Sequence, residues 1–175
     1  MSWRFSLRSP AAEPVLIMCY PPVLMISLHP EPLHPWRLVE DWHGRAASGG
    51  ADPAAATSLF VGRVRGTTTA GLPLDALELE HYPGMTEAHL RQLALSRGTA
   101  HGARAVGVGH RVGRVAPGDT IVVVAVMADR RGPAQRCCQE LLEALKHEAP
   151  FWKREWSGGT GLWVAANTPW EEPPA

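Results

Sequence analysis

The chain has 175 residues, 45% of them hydrophobic, and its 17 basic and 17 acidic side chains cancel to a formal charge of zero. That length fits one domain, with room for a small subdomain, and is enough to bury a core. Balanced charge excludes a global attraction to nucleic acid or to a membrane surface, so any anion site must be local.

Residues 1–22 hold Arg4, Arg8 and the apolar stretch Val15–Cys19, a faint imitation of a signal peptide. Pro21 and Pro22 interrupt it and no clear small-residue cleavage site follows, so a flexible leader or an early start codon is expected. No apolar run reaches the length of a membrane span. Three cysteines, Cys19, Cys137 and Cys138, lack the spacing of a disulfide framework, so a cytoplasmic setting is expected.

Val23 to Leu28 is the first predicted strand, followed by a short helix from about Pro35 to His43 and a Gly/Ala/Ser-rich loop from Ala46 to Thr57. Ser58 to Arg65 reads as a half-buried strand, and Gly66 to Gly71 as a polar loop. Leu74 to Tyr82 alternates again and suggests an antiparallel partner. Pro83-Gly84 breaks it, and Thr86 is the expected N-cap of a helix running to about Arg97.

Ala105 to Val115 reads as one strand and Pro117-Gly118-Asp119 as a turn. Thr120 to Ala128 contains a continuous β-branched run and is expected to be a central strand buried on both faces. Gly132 to His147 is the longest helix, ended by Pro150. Phe151 to Trp156 and Leu162 to Ala166 close the fold around the turn Ser157-Gly158-Gly159. Residues 167–175 are Pro/Glu-rich and read as a flexible tail. The order is α+β with mainly antiparallel pairing.

The cations are unevenly chosen. Arginine occurs fifteen times and lysine twice, at Lys146 and Lys153, on either side of Pro150-Phe151-Trp152. Arginine is a permanently charged fork, whereas lysine is an amine that can shed its proton when desolvated. The pair is therefore either a reactive site or surface charge, and composition leaves both open. Phe151 and Trp152 offer an apolar wall that would lower an amine pKa.

Other segments carry candidate chemistry. Alternation places Arg63 and Arg65 on one strand face beside a glycine-bounded loop, which suits an anion as well as it suits a solvated edge. Asp129-Arg130-Arg131-Gly132 lies where a strand feeds a helix N-terminus, a frequent anion position that is also an ordinary charged first turn. His81-Tyr82 at a strand end is either catalytic or a packing device. His29, His34 and His43 lack metal-ligand spacing, so no zinc site is expected. Gly107-Val108-Gly109 lacks the remainder of a dinucleotide fingerprint.

In this order and spacing, four strings make the chain resemble the catalytic (large) subunit of molybdopterin synthase, the MoaE family. They are Phe60 to Arg65, Leu77 to Met85, His110 to Gly113 with the turn Pro117 to Asp119, and Leu145 to Glu155. The resemblance spans residues 23–166. It implies an α/β hammerhead-type fold with a small additional antiparallel β subdomain. It implies a homodimer in which each protomer binds one small ubiquitin-like sulfur-carrier subunit ending Gly-Gly. The implied reaction moves sulfur from the carrier's C-terminal thiocarboxylate to cyclic pyranopterin monophosphate, with no metal or organic cofactor in this subunit.

By the same resemblance, Lys146 and Lys153 match the family's active-site lysines. Lys153 would bind substrate and transfer protons, while Lys146 would lie beside the carrier tail. Arg65 and Arg130 match arginines that hold the anionic substrate, Arg63 is a basic position of the same motif, and Phe60 would shape the pocket. The chain departs from the family at Asp129, where histidine is common. Asp129 would orient Arg130 or Arg131, with Arg131 supplying the missing charge. A family member that docks the carrier without turnover is the alternative, and an unrelated Schiff-base lysine enzyme is a third reading.

Overall fold

The computed structural model describes residues 21–48 and 54–164. The expected leader lies almost entirely outside these residues, and the expected tail wholly so. The elements run β1 (Val23–His29), α1 (Pro35–Ser48), β2 (Ala56–Arg63), β3 (Ala76–His81), α2 (Met85–Ala100), β4 (Ala105–Arg111), β5 (Gly113–Val115), β6 (Thr120–Ala128), α3 (Arg131–His147), β7 (Phe151–Ser157) and β8 (Thr160–Trp163). Among the described residues no helix is long and apolar enough to cross a membrane.

The strands form two sheets, ordered β1-β4-β6-β2 and β5-β3-β7-β8. In the first, β1 and β4 are parallel and the remaining pairs antiparallel. Period-two alternation sorts its two faces. Val106, Val108, Val124 and Val126 point to α2 and α3, where Leu90, Leu93, Cys137, Cys138 and Leu141 meet them. Ala105, Val123, Ala125 and Met127 point the other way, against Trp42 of α1. Strand β6 is thus covered on both faces, as its unbroken β-branched run predicts. Each fully buried Leu or Val side chain contributes about 1.5–3 kcal/mol by leaving water.

Gly107 and Gly109 have a packing role here. A Cβ at Gly107 would fall on the six-membered ring of Trp42, and one at Gly109 would meet Leu38. The Gly-Val-Gly pattern is therefore a slot for an indole on one face, with valine filling the other.

In the second sheet the alternation again separates two faces. Leu79 and Val115 join Val64 and Leu74 in a small core, with Leu77, Ile121 and Phe151 packed against it. On the other face the Arg154 guanidinium stacks on Trp163 at 4.0 Å and Arg114 stacks on Trp156 at 4.0 Å. Glu78 accepts the Trp156 indole N–H at 2.7 Å, and Arg154 pairs with Glu80 at 3.3 Å.

Four expectations need correction. Strands β2 and β3 do not pair: β2 pairs with β6, and β3 with β5 and β7. The intervening segment folds on itself through a Thr67–Pro73 bridge and redirects the chain into the second sheet. The expected single strand from Ala105 to Val115 divides at Val112, because Gly113 takes φ +74° and turns the chain from one sheet to the other. Helix α1 runs to Ser48, five residues past the expected end, which Arg45 in its last turn favours. Thr86 lies inside α2 and its hydroxyl accepts the Tyr82 N–H at 3.2 Å; Gly84 occupies the cap position at φ +80°.

The Trp42 slot yields a paired expectation. Gly107→Ala should destabilise the protein by about 1–3 kcal/mol through overpacking. Gly44→Ala, in an open helical position, should stabilise it by about 0.5–1 kcal/mol. Urea unfolding of the two variants checks both signs.

Candidate active site

Helix α3 ends with Lys146 and His147 in its last turn, and the C-cap Glu148 N–H bonds to Ala144 O. A cation is favoured there by the unpaired carbonyls at the helix end. Pro150 prevents continuation, a tight turn joins the Phe151 N–H to Ala149 O at 2.8 Å, and the chain enters β7. In β7 the side chains of Phe151, Lys153 and Glu155 share one face, and Trp152, Arg154 and Trp156 the other.

This turn brings both lysines to one cavity of about 180 Å³, lined also by Arg63, Arg65 and Glu155. Leu74, Leu77 and Ile121 form its apolar wall. Arg63 ends β2 beside a register shift between Gly62 and Arg63, and its guanidinium donates to Gly118 O at 2.9 Å. Arg65 lies beyond the strand, so the site takes one arginine from a strand end and one from the loop that follows.

Lys153 is half-buried. Burial pushes its pKa below the ordinary 10.5, and the positive charges of Lys146 and then Arg65 push it the same way. Burial and like charge both favour the neutral amine, so Lys153 gives up its proton more readily than a free lysine.

The apolar wall expected from Phe151 and Trp152 is supplied instead by Leu74, Leu77 and Ile121, and neither aromatic lines the cavity. Phe151 packs inward and stacks on the His110 ring with centroids 4.2 Å apart. Trp152 faces outward, edge-on to Tyr82 at 4.9 Å. Tyr82 is therefore a packing partner at the surface, and neither it nor His81 lines the cavity.

Phe60, Arg130 and Arg131 are not among the residues lining this cavity. Arg130 and Arg131 follow β6 at the end remote from Ile121, roughly 30 Å away along an extended strand. Asp129 engages Arg104 in an ion pair, so its carboxylate is committed to that residue and not to Arg130 or Arg131. Phe60 lies on the edge strand β2 and is 42% exposed.

Two further groups belong to the site's surroundings. His110 is buried, its Nδ1–H donates to Arg111 O at 2.8 Å, and its pKa falls to about 4, chiefly by burial. It is a neutral imidazole whose electrostatic influence meets that of Lys153. Its signal in the sequence is position alone, at the end of a strand. Glu155 could have been found by alternation from Lys153. Among the described residues no group of three or more His, Cys, Asp or Glu side chains is arranged to hold a metal ion.

Comparison with known proteins bears on this arrangement. The family model described as MoaE protein matches residues 32–148. The molybdopterin synthase catalytic subunit of Caulobacter vibrioides is 36% identical over 141 residues, 81% of this chain and 89% of the relative. The structure of the molybdopterin biosynthesis MoaE protein from Burkholderia ambifaria superposes with a TM-score of 0.68 at 36% identity, covering 83% of this chain and 92% of that one. A complex of subunits 1 and 2 of molybdopterin-converting factor from Helicobacter pylori shares the fold, with a TM-score of 0.63 at 17% identity over 82% of this chain and 89% of its own.

With two lysines in the chain, 13Cε-lysine labelling gives one resonance for each. The Lys153 resonance should titrate below 10.5. Replacing Lys146 with methionine should move that midpoint upward, because a neighbouring positive charge is removed. Between the lowered pKa and the unfolded value the unfolded chain binds more protons, so the Lys153 contribution to stability rises with pH across that window. A Lys153 midpoint at the ordinary value would contradict the burial argument.

Proposed function

The chain belongs to the MoaE family, and we propose that it acts as the catalytic subunit of a molybdopterin synthase. The observation that carries this reading is the junction of α3 and β7, which sets two amines from different elements into one arginine-lined cavity. Arg63 and Arg65 hold the phosphate of cyclic pyranopterin monophosphate by charge-assisted hydrogen bonds. Lys153, with its lowered pKa, binds the pterin near the reacting carbons and exchanges protons there. Lys146, at the mouth of the helix turn, polarises the carrier's thiocarboxylate as sulfur is transferred. Sulfur arrives on the partner, so the free, buried Cys137 and Cys138 take no part.

The partner is a small ubiquitin-like subunit whose C-terminal Gly-Gly tail enters this cavity. A second copy of the chain completes the site. Arg130 lies too far from Lys153 to serve the same cavity within one protomer, so its contribution comes from the other protomer, with Arg131 adding charge. Asp129, paired to Arg104, takes the place of a cationic contact and trims the local charge. The edge strand β2, with Leu59 at 36% and Phe60 at 42% exposure, supports a homodimer, since an apolar sheet edge calls for cover. Phe60 would then help shape a pocket at that boundary.

With thiocarboxylated carrier and cyclic pyranopterin monophosphate, the wild-type chain should produce the dithiolene. Lys153→Ala should lower the rate by about 10²-fold or more, the scale of a lost general acid/base. Lys146→Arg should keep the charge and lose most of the activity, because the compact amine is gone. Wild-type turnover by Lys153→Ala would remove Lys153 from the mechanism. Carrier binding without any product from the wild-type chain would favour the docking-only alternative.

Shared sites also predict complementation. Lys153→Ala and Arg130→Ala should each be inactive alone, and remixed as dimers they should recover about a quarter of wild-type activity, from the one intact site in each hybrid. No recovery after subunit exchange would confine the site to one protomer.

A further inference from the structure

The two lysines stand on different parts of the fold. Lys146 ends α3, which packs on the larger sheet, while Lys153 belongs to β7 of the smaller one. Their spacing therefore depends on what sets one sheet against the other. One such contact involves a side chain that the proposed mechanism leaves unused. His110, near the end of β4, stacks on Phe151, the first residue of β7, with ring centroids 4.2 Å apart and planes 17° apart.

Period-two alternation puts His110 in the row of Val106 and Val108, on the face toward α2 and α3, and its β6 neighbour is Val122. A polar ring buried among such residues is costly unless its hydrogen-bonding groups are engaged. Its Nδ1–H is engaged by the carbonyl of the adjacent Arg111 at 2.8 Å, which holds the plane of the ring. Burial keeps the imidazole neutral, with a pKa of about 4, so it adds no positive charge beside Lys153. It thus offers Phe151 a flat, fixed face. Phe151 and Lys153 lie two residues apart on the same face of β7, about 7 Å along an extended strand.

We propose that His110 is a positioning residue: its imidazole is the platform on which Phe151 rests, and through Phe151 it fixes the depth at which Lys153 sits in the cavity. The inference rests on the proposed function only in giving Lys153 a reaction to serve. Arg111 provides a comparison. Its buried side chain leaves the opposite face of β4, and Nη2 donates to Arg114 O of β5 at 3.1 Å. It also fastens the smaller sheet, but at a strand that does not carry Lys153.

The test reads the Lys153 resonance by 13Cε-lysine NMR without substrate or carrier, and kcat and KM in the complete assay. The other charged groups lining the cavity, Lys146, Arg63, Arg65 and Glu155, are untouched in every variant. His110→Ala removes the platform, Phe151 settles into the space and Lys153 gains water. Its titration midpoint should then rise toward 10.5. Its kcat should fall by up to about 10²-fold, the cost of a misplacement of roughly 1 Å, with KM changing less. His110→Phe keeps a flat ring against Phe151 and should hold midpoint and kcat close to wild type. Arg111→Met should leave both at wild type, whatever it does to stability in urea.

An unmoved Lys153 midpoint in His110→Ala, an undiminished kcat there, or an equal shift in His110→Phe or Arg111→Met overturns the proposal. His110→Leu carries the same expectations as alanine and takes its place if that chain fails to fold. Midpoints that follow the expected pattern in a protein without turnover uphold the positioning role and reject the synthase reading. Wild-type turnover with an unmoved midpoint in His110→Ala does the reverse.

Discussion

Four cationic side chains share one cavity of about 180 Å³, and the fold has to hold them there against their mutual repulsion. Like charges at such separations cost free energy, and the cost grows as water is excluded. The molecule meets it by drawing the cations from separate, well-supported places. Arg63 is tied to the Pro117–Asp119 turn, Arg65 follows on a loop, Lys146 sits on a helix end and Lys153 on a strand. Lys153 relieves part of the repulsion by giving up its proton more readily. Glu155, which lines the same cavity, brings a compensating negative charge.

The larger sheet supplies the rigidity that this arrangement needs. Its central strands are packed on both faces, by α1 on one side and by α2 with α3 on the other. Helix α3 packs on that sheet through Cys137, Cys138 and Leu141, and its last turn carries Lys146. The smaller sheet carries Lys153 and Glu155 on its inner face. Phe151 joins the two, since it packs against both cores and on the buried His110 ring. The relative position of the two lysines thus depends on ordinary apolar packing at Phe151.

Much of this was legible in the residues, and the failures have physical causes. The bounds of β6 followed from its β-branched run, and the bounds of α3 from apolar spacing and Pro150, because both signals are local. The pairing of β2 with β6 was not legible, since it joins residues 57 to 72 positions apart and alternation names a face but not a neighbour. The role of Gly107 was hidden for the same reason: its partner is Trp42, from a distant helix. The lysine pair stood out because lysine is so rare here. His110 did not, because a histidine at a strand end carries no signal until Phe151 is seen stacked on it.

The stacking of guanidinium groups on Trp156 and Trp163 has a practical consequence. Trp42, enclosed in the larger sheet at 2% exposure, and the tryptophans of the smaller sheet, faced by Arg114 and Arg154, occupy opposite optical environments. A dry indole emits at shorter wavelength than one beside charge and water. The short-wavelength edge of the protein's emission therefore reports on the packing of α1 against the larger sheet, without any added label.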